Sequence, residues 1–234
     1  MRSRGRRPSK QTTEVVTVVG VVFPIAAIGL AWFASATVFA VSMSATPGPN
    51  NTMLASSGSL WGFRRTIPHI LGVSLGFSAM LIAVAAGLGG LLLHHPTVLG
   101  ALRWIAVVYL LYLAWRIATA KPHDARGREA AATRGRPLSF TQAALFQWVN
   151  PKAWVIALSA LATMTAVADR PSFQRAVALA LLFLAATLVT TALWTVLGVG
   201  VSRVLRSGRA LQLFNVALAV LLVLSVLASV VGVG

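Results

Sequence analysis

The chain has 234 residues, is 57% hydrophobic and only 10% charged, and has a mean hydropathy of +0.81. Soluble domains carry about 25% charged residues, so a water-soluble enzyme or binding module is excluded and a polytopic helical membrane protein is expected. The net charge of +16, from 20 Lys and Arg against four acids, is concentrated in short links between apolar runs, where cytoplasmic loops carry it.

Anionic lipid headgroups are the expected partners of those links. Nucleic acid is not, because the basic segments are short and lack interleaved aromatics. With no cysteine and four scattered histidines, neither a disulfide nor a Cys-based zinc site is available. No metal or other cofactor is expected.

A basic tail (Arg2, Arg4, Arg6, Arg7, Lys10) precedes an apolar run from about Val15 to Ala45. It has the shape of a signal peptide, but it is longer than an ordinary h-region. Cutting at Ala34-Ser35-Ala36 would destroy the span that follows, so no cleavage is expected. The run also exceeds the roughly 20 residues of one span. Residues 15–33 are therefore read as an extra N-terminal membrane segment, or as part of one long tilted helix.

The first core span is interrupted at Thr46-Pro47-Gly48-Pro49-Asn50-Asn51. Each proline lacks an N–H and clashes with the preceding turn, and the glycine leaves the backbone free. Broken backbone inside a bilayer is tolerated only where it packs on protein or lines a watery cavity. After Gly62-Phe63-Arg64-Arg65 comes a second span, about 68–93, on which Gly72 and Gly76 make a flat face for another helix. A homodimer through a glycine face is one use such a face could serve. His94-His95-Pro96 is a turn. The third span, 99–118, carries Arg103, Trp104, Trp115 and Arg116 as interfacial anchors, and Tyr109 and Tyr112 as polar tips on its body.

Residues 119–138 form a hydrophilic, basic linker. The fourth span, from Ser139 to about Ala166, is interrupted at Asn150-Pro151-Lys152. A turn at Asp169-Arg170-Pro171 and a Ser172 cap lead into a fifth span to about Gly200, with Thr187, Thr190, Thr191 and Thr195 expected mainly to bond their own helix. Arg203, Arg206 and Arg209 form a basic link before the last span, 210–231. If each intervening pair of spans crosses twice, all the strongly basic links share one side, the cytoplasmic one.

Each half thus reads as broken span, span, span. This gives an all-α polytopic membrane protein with six core transmembrane helices in an inverted 3+3 repeat. Its units are a tail and extra apolar segment (1–25), a first repeat (26–118), the linker (119–138) and a second repeat (139–234). Two breaks in corresponding positions point to a secondary transporter whose site lies at the midplane. Half-helix N-termini would attract a carboxylate and freed carbonyls an ammonium, which matches a zwitterionic amino acid. The candidate binding residues are Pro47, Gly48, Pro49, Asn50, Asn51, Asn150, Pro151 and Lys152, joined by Gln147 and Tyr109. Lys152 is a cation inside a span and needs a partner or water; the acids Glu14, Asp124, Glu129 and Asp169 all fall at edges or in links. Either an anionic substrate group is its partner, or it snorkels to water or bonds the carbonyls of a helix end. The alternatives to a carrier are an anion-selective channel or a non-transporting assembly subunit. An intramembrane enzyme would need a nucleophile and base or metal ligands within the spans, and these are lacking.

The two breaks, the Gly62-Phe63-Arg64-Arg65 link, the glycine-spaced second span, Tyr109-Leu110-Leu111-Tyr112-Leu113-Ala114-Trp115 and Phe146-Gln147-Trp148-Val149-Asn150-Pro151-Lys152-Ala153-Trp154 resemble the LysE/RhtB (lysine exporter/homoserine–threonine exporter) family of bacterial amino-acid efflux proteins. The resemblance covers about residues 26–232. It implies export of amino acids or their derivatives across the bacterial cytoplasmic membrane, driven by the proton motive force. It also implies functional roles for Pro47, Gly48, Pro49, Asn50, Asn150, Pro151 and Lys152. Where many members carry an acid after the second glycine of the second span, this chain has Phe77, which favours a neutral or weakly polar amino acid over a cation such as lysine.

Overall fold

The computed structural model describes residues 15–18, 21–24, 29–120, 136–165, 173–205 and 207–231. The basic tail, the linker over 121–135, and the turn and cap expected at 169–172 lie outside them.

The described chain is helical except at its start. There, β1 (Val15–Val18) and β2 (Val21–Pro24) pair antiparallel, with Val15 opposite Pro24 and Val18 opposite Val21. The first helix, α1, spans Leu30–Ala45. This corrects the expected helical crossing over 15–33. The run Val15-Val16-Thr17-Val18 and the stretch Val21-Val22-Phe23 are β-branched and aromatic, a composition that packs well on a pleated ribbon.

The break follows α1. Thr46 is extended (φ −61°, ψ 141°), as a residue before proline is pushed to be. Pro49 then opens α2 (Pro49–Trp61) at its first turn, where a missing N–H costs nothing. Gly62 has φ 79°, a left-handed value that glycine adopts without penalty, and it turns the chain directly into α3 (Phe63–Ala83). A wide π-type turn, Val84–Leu88, leads to α4 (Gly89–Leu93), and α5 is Pro96–Ala118.

After the linker, α6 (Phe140–Val149) begins with a reciprocal cap. Gln142 N donates to Ser139 Oγ (3.3 Å), and Ser139 N donates to Gln142 Oε1 (3.0 Å), which satisfies two orphan amides at once. The second break is a single residue, Asn150, and α7 (Pro151–Thr165) again opens on proline. Two long helices, α8 (Phe173–Val204) and α9 (Gly208–Val231), complete the bundle.

The helices α3 and α8 pack on each other at the centre, with α6 against α3, α1 and α2 against α8, and α5 against α9. Small residues permit these approaches. A Cβ at Gly72 would meet the Phe140 carbonyl, and one at Gly76 would sit 2.6 Å from the Ala144 Cα. The glycine face read from the sequence is therefore filled by α6 of the same chain. An equivalent pair, not singled out beforehand, joins α2 to α8: Gly58 lies on the Thr195 carbonyl and Gly198 on the Ala55 carbonyl.

Large apolar side chains such as Val108, Trp115, Val189, Leu193, Val196, Leu213 and Leu224 point outward, whereas Thr52, Ser56, Ser57, Ser74, Gln147, Asn150 and Thr191 are buried. That distribution suits a hydrocarbon solvent. Among the described residues, Phe63–Leu91, Phe173–Val204 and Gly208–Leu227 are each long and apolar enough to span a membrane alone. Shorter apolar helices run over Trp32–Ala45, Trp104–Ala118 and Pro151–Ala162.

Candidate functional site

Ending α1 at a Pro-Gly-Pro break strands its last carbonyls, which have no following helical N–H to accept from. Inside a membrane each needs a donor from elsewhere, and each finds one. Asn51 Nδ2 donates to Ser44 O (2.8 Å) and Thr46 O (2.9 Å), and Trp194 Nε1 on α8 donates to Ala45 O (3.2 Å). Lys152 Nζ, from the start of α7, donates to Thr46 O (2.8 Å), Thr46 Oγ1 (2.7 Å) and Pro47 O (3.2 Å). The ammonium thus sits at the negative end of the α1 dipole. Of the two partners anticipated for Lys152, the helix-end carbonyls are the ones it holds.

Gly48 is fully extended (φ 178°), a conformation open to any residue. Its lack of a side chain matters for another reason: a Cβ there would lie 2.7 Å from Lys152 Cδ and 2.9 Å from Nζ. Glycine makes the groove in which the lysine lies.

The two breaks are joined a second time. Asn50 Nδ2 donates to Gln147 Oε1 (2.9 Å) and Gln147 Nε2 returns a bond to Asn50 Oδ1 (3.2 Å), while Gln147 Nε2 also donates to Ala143 O (2.9 Å). Gln147 and Asn150 are fully buried. Asn150 Oδ1 accepts from Lys152 N (3.1 Å), so it caps α7 and aims the lysine.

Beside this lattice is a cavity of about 40 Å³, lined by Ser44, Gly48, Asn50, Asn51, Asn150, Lys152, Thr187 and Thr191, with an apolar wall of Met43, Val73, Phe77, Ala153 and Ile156. It has room for water but not for an amino acid. Among the described residues its one charged wall group is Lys152.

The residues expected at the site therefore separate. Gly48, Asn50, Asn51, Asn150 and Lys152 line the cavity. Pro49 and Pro151 open the helices behind it, Pro47 supplies a carbonyl, and Gln147 acts through Asn50. Tyr109 does not join them. It lies on α5 against Phe146 (5.8 Å between ring centres) and Tyr112 (6.4 Å), within the apolar cluster of α5 and α9.

Sequence reasoning missed the α8 contribution. Thr190, Thr191 and Thr195 bond carbonyls of their own helix as expected, but Thr187 Oγ1 also meets Ser44 Oγ at 3.3 Å, and Thr187 and Thr191 face the cavity. The signal was their spacing of four residues. Also missed was His69, which is 1% exposed, with no hydrogen-bond partner for either ring nitrogen among the described residues. No group of three His, Asp, Glu or Cys converges among those residues.

The chain matches curated efflux proteins over part of its length. It is 34% identical over 118 residues to a cysteine/O-acetylserine efflux protein of Salmonella paratyphi A, and 35% identical over 118 residues to the protein of the same name in Escherichia coli K12. Each match covers 50% of this chain and 57% of the relative. No solved structure matches. The model of the LysE type translocator family matches residues 41–231, which include both breaks and every side chain that lines the cavity, and the chain belongs to that family.

Proposed function

We propose that the protein is a secondary transporter that exports a neutral or weakly polar amino acid, or a derivative of one, from the bacterial cytoplasm. The observation that carries this reading is the seat of Lys152: a tethered ammonium resting on the carbonyls of the first break, on the wall of a cavity whose other described lining residues are neutral. A substrate ammonium is the natural competitor for those carbonyls. When it takes them, the freed Lys152 is placed to meet the substrate carboxylate, so one exchange satisfies both ends of the zwitterion.

The names of the relatives, cysteine/O-acetylserine efflux proteins, support a small neutral substrate. The hydroxyls of Ser44, Thr187 and Thr191 on the cavity wall suit a polar side chain. Because the cavity is smaller than an amino acid, loading requires the breaks to move apart.

In this reading α1 with α2, and α6 with α7, are the two broken spans of an inverted 3+3 repeat. They are followed by α3 and α5 in one half and by α8 and α9 in the other, for six crossings in all. The basic linker is cytoplasmic, and the proton motive force drives export across the inner membrane. Lipids solvate the outward apolar faces. A homodimer would form on those faces, since Gly72 and Gly76 are taken by α6.

The test loads cells with labelled cysteine, O-acetylserine, serine and lysine and follows efflux from wild type, Lys152→Ala and a vector control, with and without an uncoupler. Saturable efflux of a neutral substrate that is lost on both Lys152→Ala and uncoupling is expected. Efflux equal to the control across the panel removes the amino-acid reading, and non-saturable flux insensitive to the uncoupler indicates a pore.

A further inference from the structure

A second cavity, of about 720 Å³, lies at the far end of α2, between the α2–α3 link and the α8–α9 link. It is distinct from the break: α2 has 13 residues, which at about 1.5 Å each puts the two ends of that helix roughly 20 Å apart. Arg64, Arg65 and Arg203 bring three guanidinium groups to its rim, and all three residues are exposed. Like charges gathered at one mouth repel, and an anion relieves them.

A second observation comes from the cavity wall. Asn215, on its wall, is 2% exposed; its Nδ2 donates to Ala120 O (3.4 Å), and its Oδ1 accepts no hydrogen bond among the described residues. The bond to Ala120 sets the orientation of the amide, so the orphan is an acceptor. A buried acceptor without a donor is costly. The cavity thus asks for an anion that also carries a hydroxyl or similar donor. The rest of its wall includes Trp61 and Leu211, apolar groups of the kind found where a helix end meets the headgroup layer.

We propose that this cavity binds an anionic phospholipid headgroup of the phosphatidylglycerol type. The phosphate sits on the arginine forks and a glycerol hydroxyl donates to Asn215 Oδ1. A free phosphate ester shares the polar chemistry, while the apolar wall and the position at the helix ends favour the lipid. Occupancy fastens the α2–α3 link to the α8–α9 link. The site is independent of what the transporter carries.

The experiment titrates the purified full chain in detergent with short-chain phosphatidylglycerol, phosphatidylmethanol (the same charge without the glycerol hydroxyls), phosphatidylcholine and water-soluble glycerol 3-phosphate. Binding is followed by native mass spectrometry and thermal melting. Phosphatidylglycerol is expected to bind and to raise the melting temperature, and phosphatidylcholine to do neither. Arg203→Gln should weaken phosphatidylglycerol about tenfold, and the triple change Arg64→Gln, Arg65→Gln, Arg203→Gln further still. Asn215→Leu should weaken phosphatidylglycerol about tenfold but leave phosphatidylmethanol unchanged.

Equal affinity for phosphatidylcholine, or binding indifferent to Arg203→Gln, overturns the site. Glycerol 3-phosphate binding as tightly as the lipid overturns the lipid as its source, and an equal loss of both anionic lipids in Asn215→Leu overturns the acceptor role. Because single variants carry the test, a triple variant that fails to fold does not spoil it.

Discussion

Lys152 and Gly48 form one device, and each is intelligible only through the other. The lysine supplies the donors that the carbonyls of Thr46 and Pro47 lost when proline ended α1, and the glycine leaves the space its stem fills. Lys152→Met keeps the apolar stem and removes the donors. It should abolish labelled amino-acid efflux while the protein still reaches the membrane, because solvent on the half-exposed side of the site can serve the carbonyls in part. Gly48→Ala should act by a different route. The new Cβ meets the flexible end of the lysine rather than backbone, so the chain still folds as Lys152 is displaced, losing the bonds its ammonium gave Thr46 and Pro47. Efflux should fall sharply, with a melting temperature lowered only by those lost bonds. At His69 the expectation has the opposite sign. Both ring nitrogens are buried without a described partner, and such groups cost about 1–3 kcal/mol each, so His69→Leu should raise the thermal midpoint. A lowered midpoint would mean that the ring has a partner. The breaks were legible at this scale because proline and glycine act on their own backbone. The partner of Lys152 was not, since Thr46 lies 106 positions away in the chain.

Among the elements, the two half-helices that follow the breaks are held unequally. Eight consecutive residues of α2, Asn51–Gly58, are buried, and α2 packs extensively on α8. Its counterpart α7 touches α3 only lightly. Local opening is easiest where buried contacts are few, so hydrogen exchange should be faster in α7 than in α2; equal protection would count against α7 as the element that moves on loading. The α2–α8 contact itself depends on glycine. Gly198→Leu would drive a side chain into the Ala55 backbone, and overpacking of this kind costs about 1–3 kcal/mol or more, read as a lower melting temperature and loss of efflux. Hydropathy could place these helices but not rotate them. Tyr109 seemed a polar tip facing a pathway, yet in a helix apolar all round no stripe marks the inner face, and packing turned it toward Phe146. The valine-rich start was ambiguous for a related reason: a short β-branched apolar run suits helix or strand equally.

For the whole molecule, orientation is the property that the charge distribution foretells. The chain has no cysteine, so single cysteines report sidedness without background. Ala120→Cys should react with a thiol reagent only from the cytoplasmic side and His95→Cys only from outside. Exchange of the two patterns would invert the assignment and export would have to be reconsidered. The amino-acid sequence alone determined the class of the protein and both interruptions, because hydrophobic run length and the missing N–H of proline are local properties. Only the tertiary structure decided that Lys152 rests on the first break, that Asn50 pairs with Gln147, that α8 supplies the threonine wall, and that Asn215 shares a cavity wall with three arginines. These are contacts between segments distant in the chain, and an unsatisfied carbonyl or amide is matched to its donor only when the helices pack.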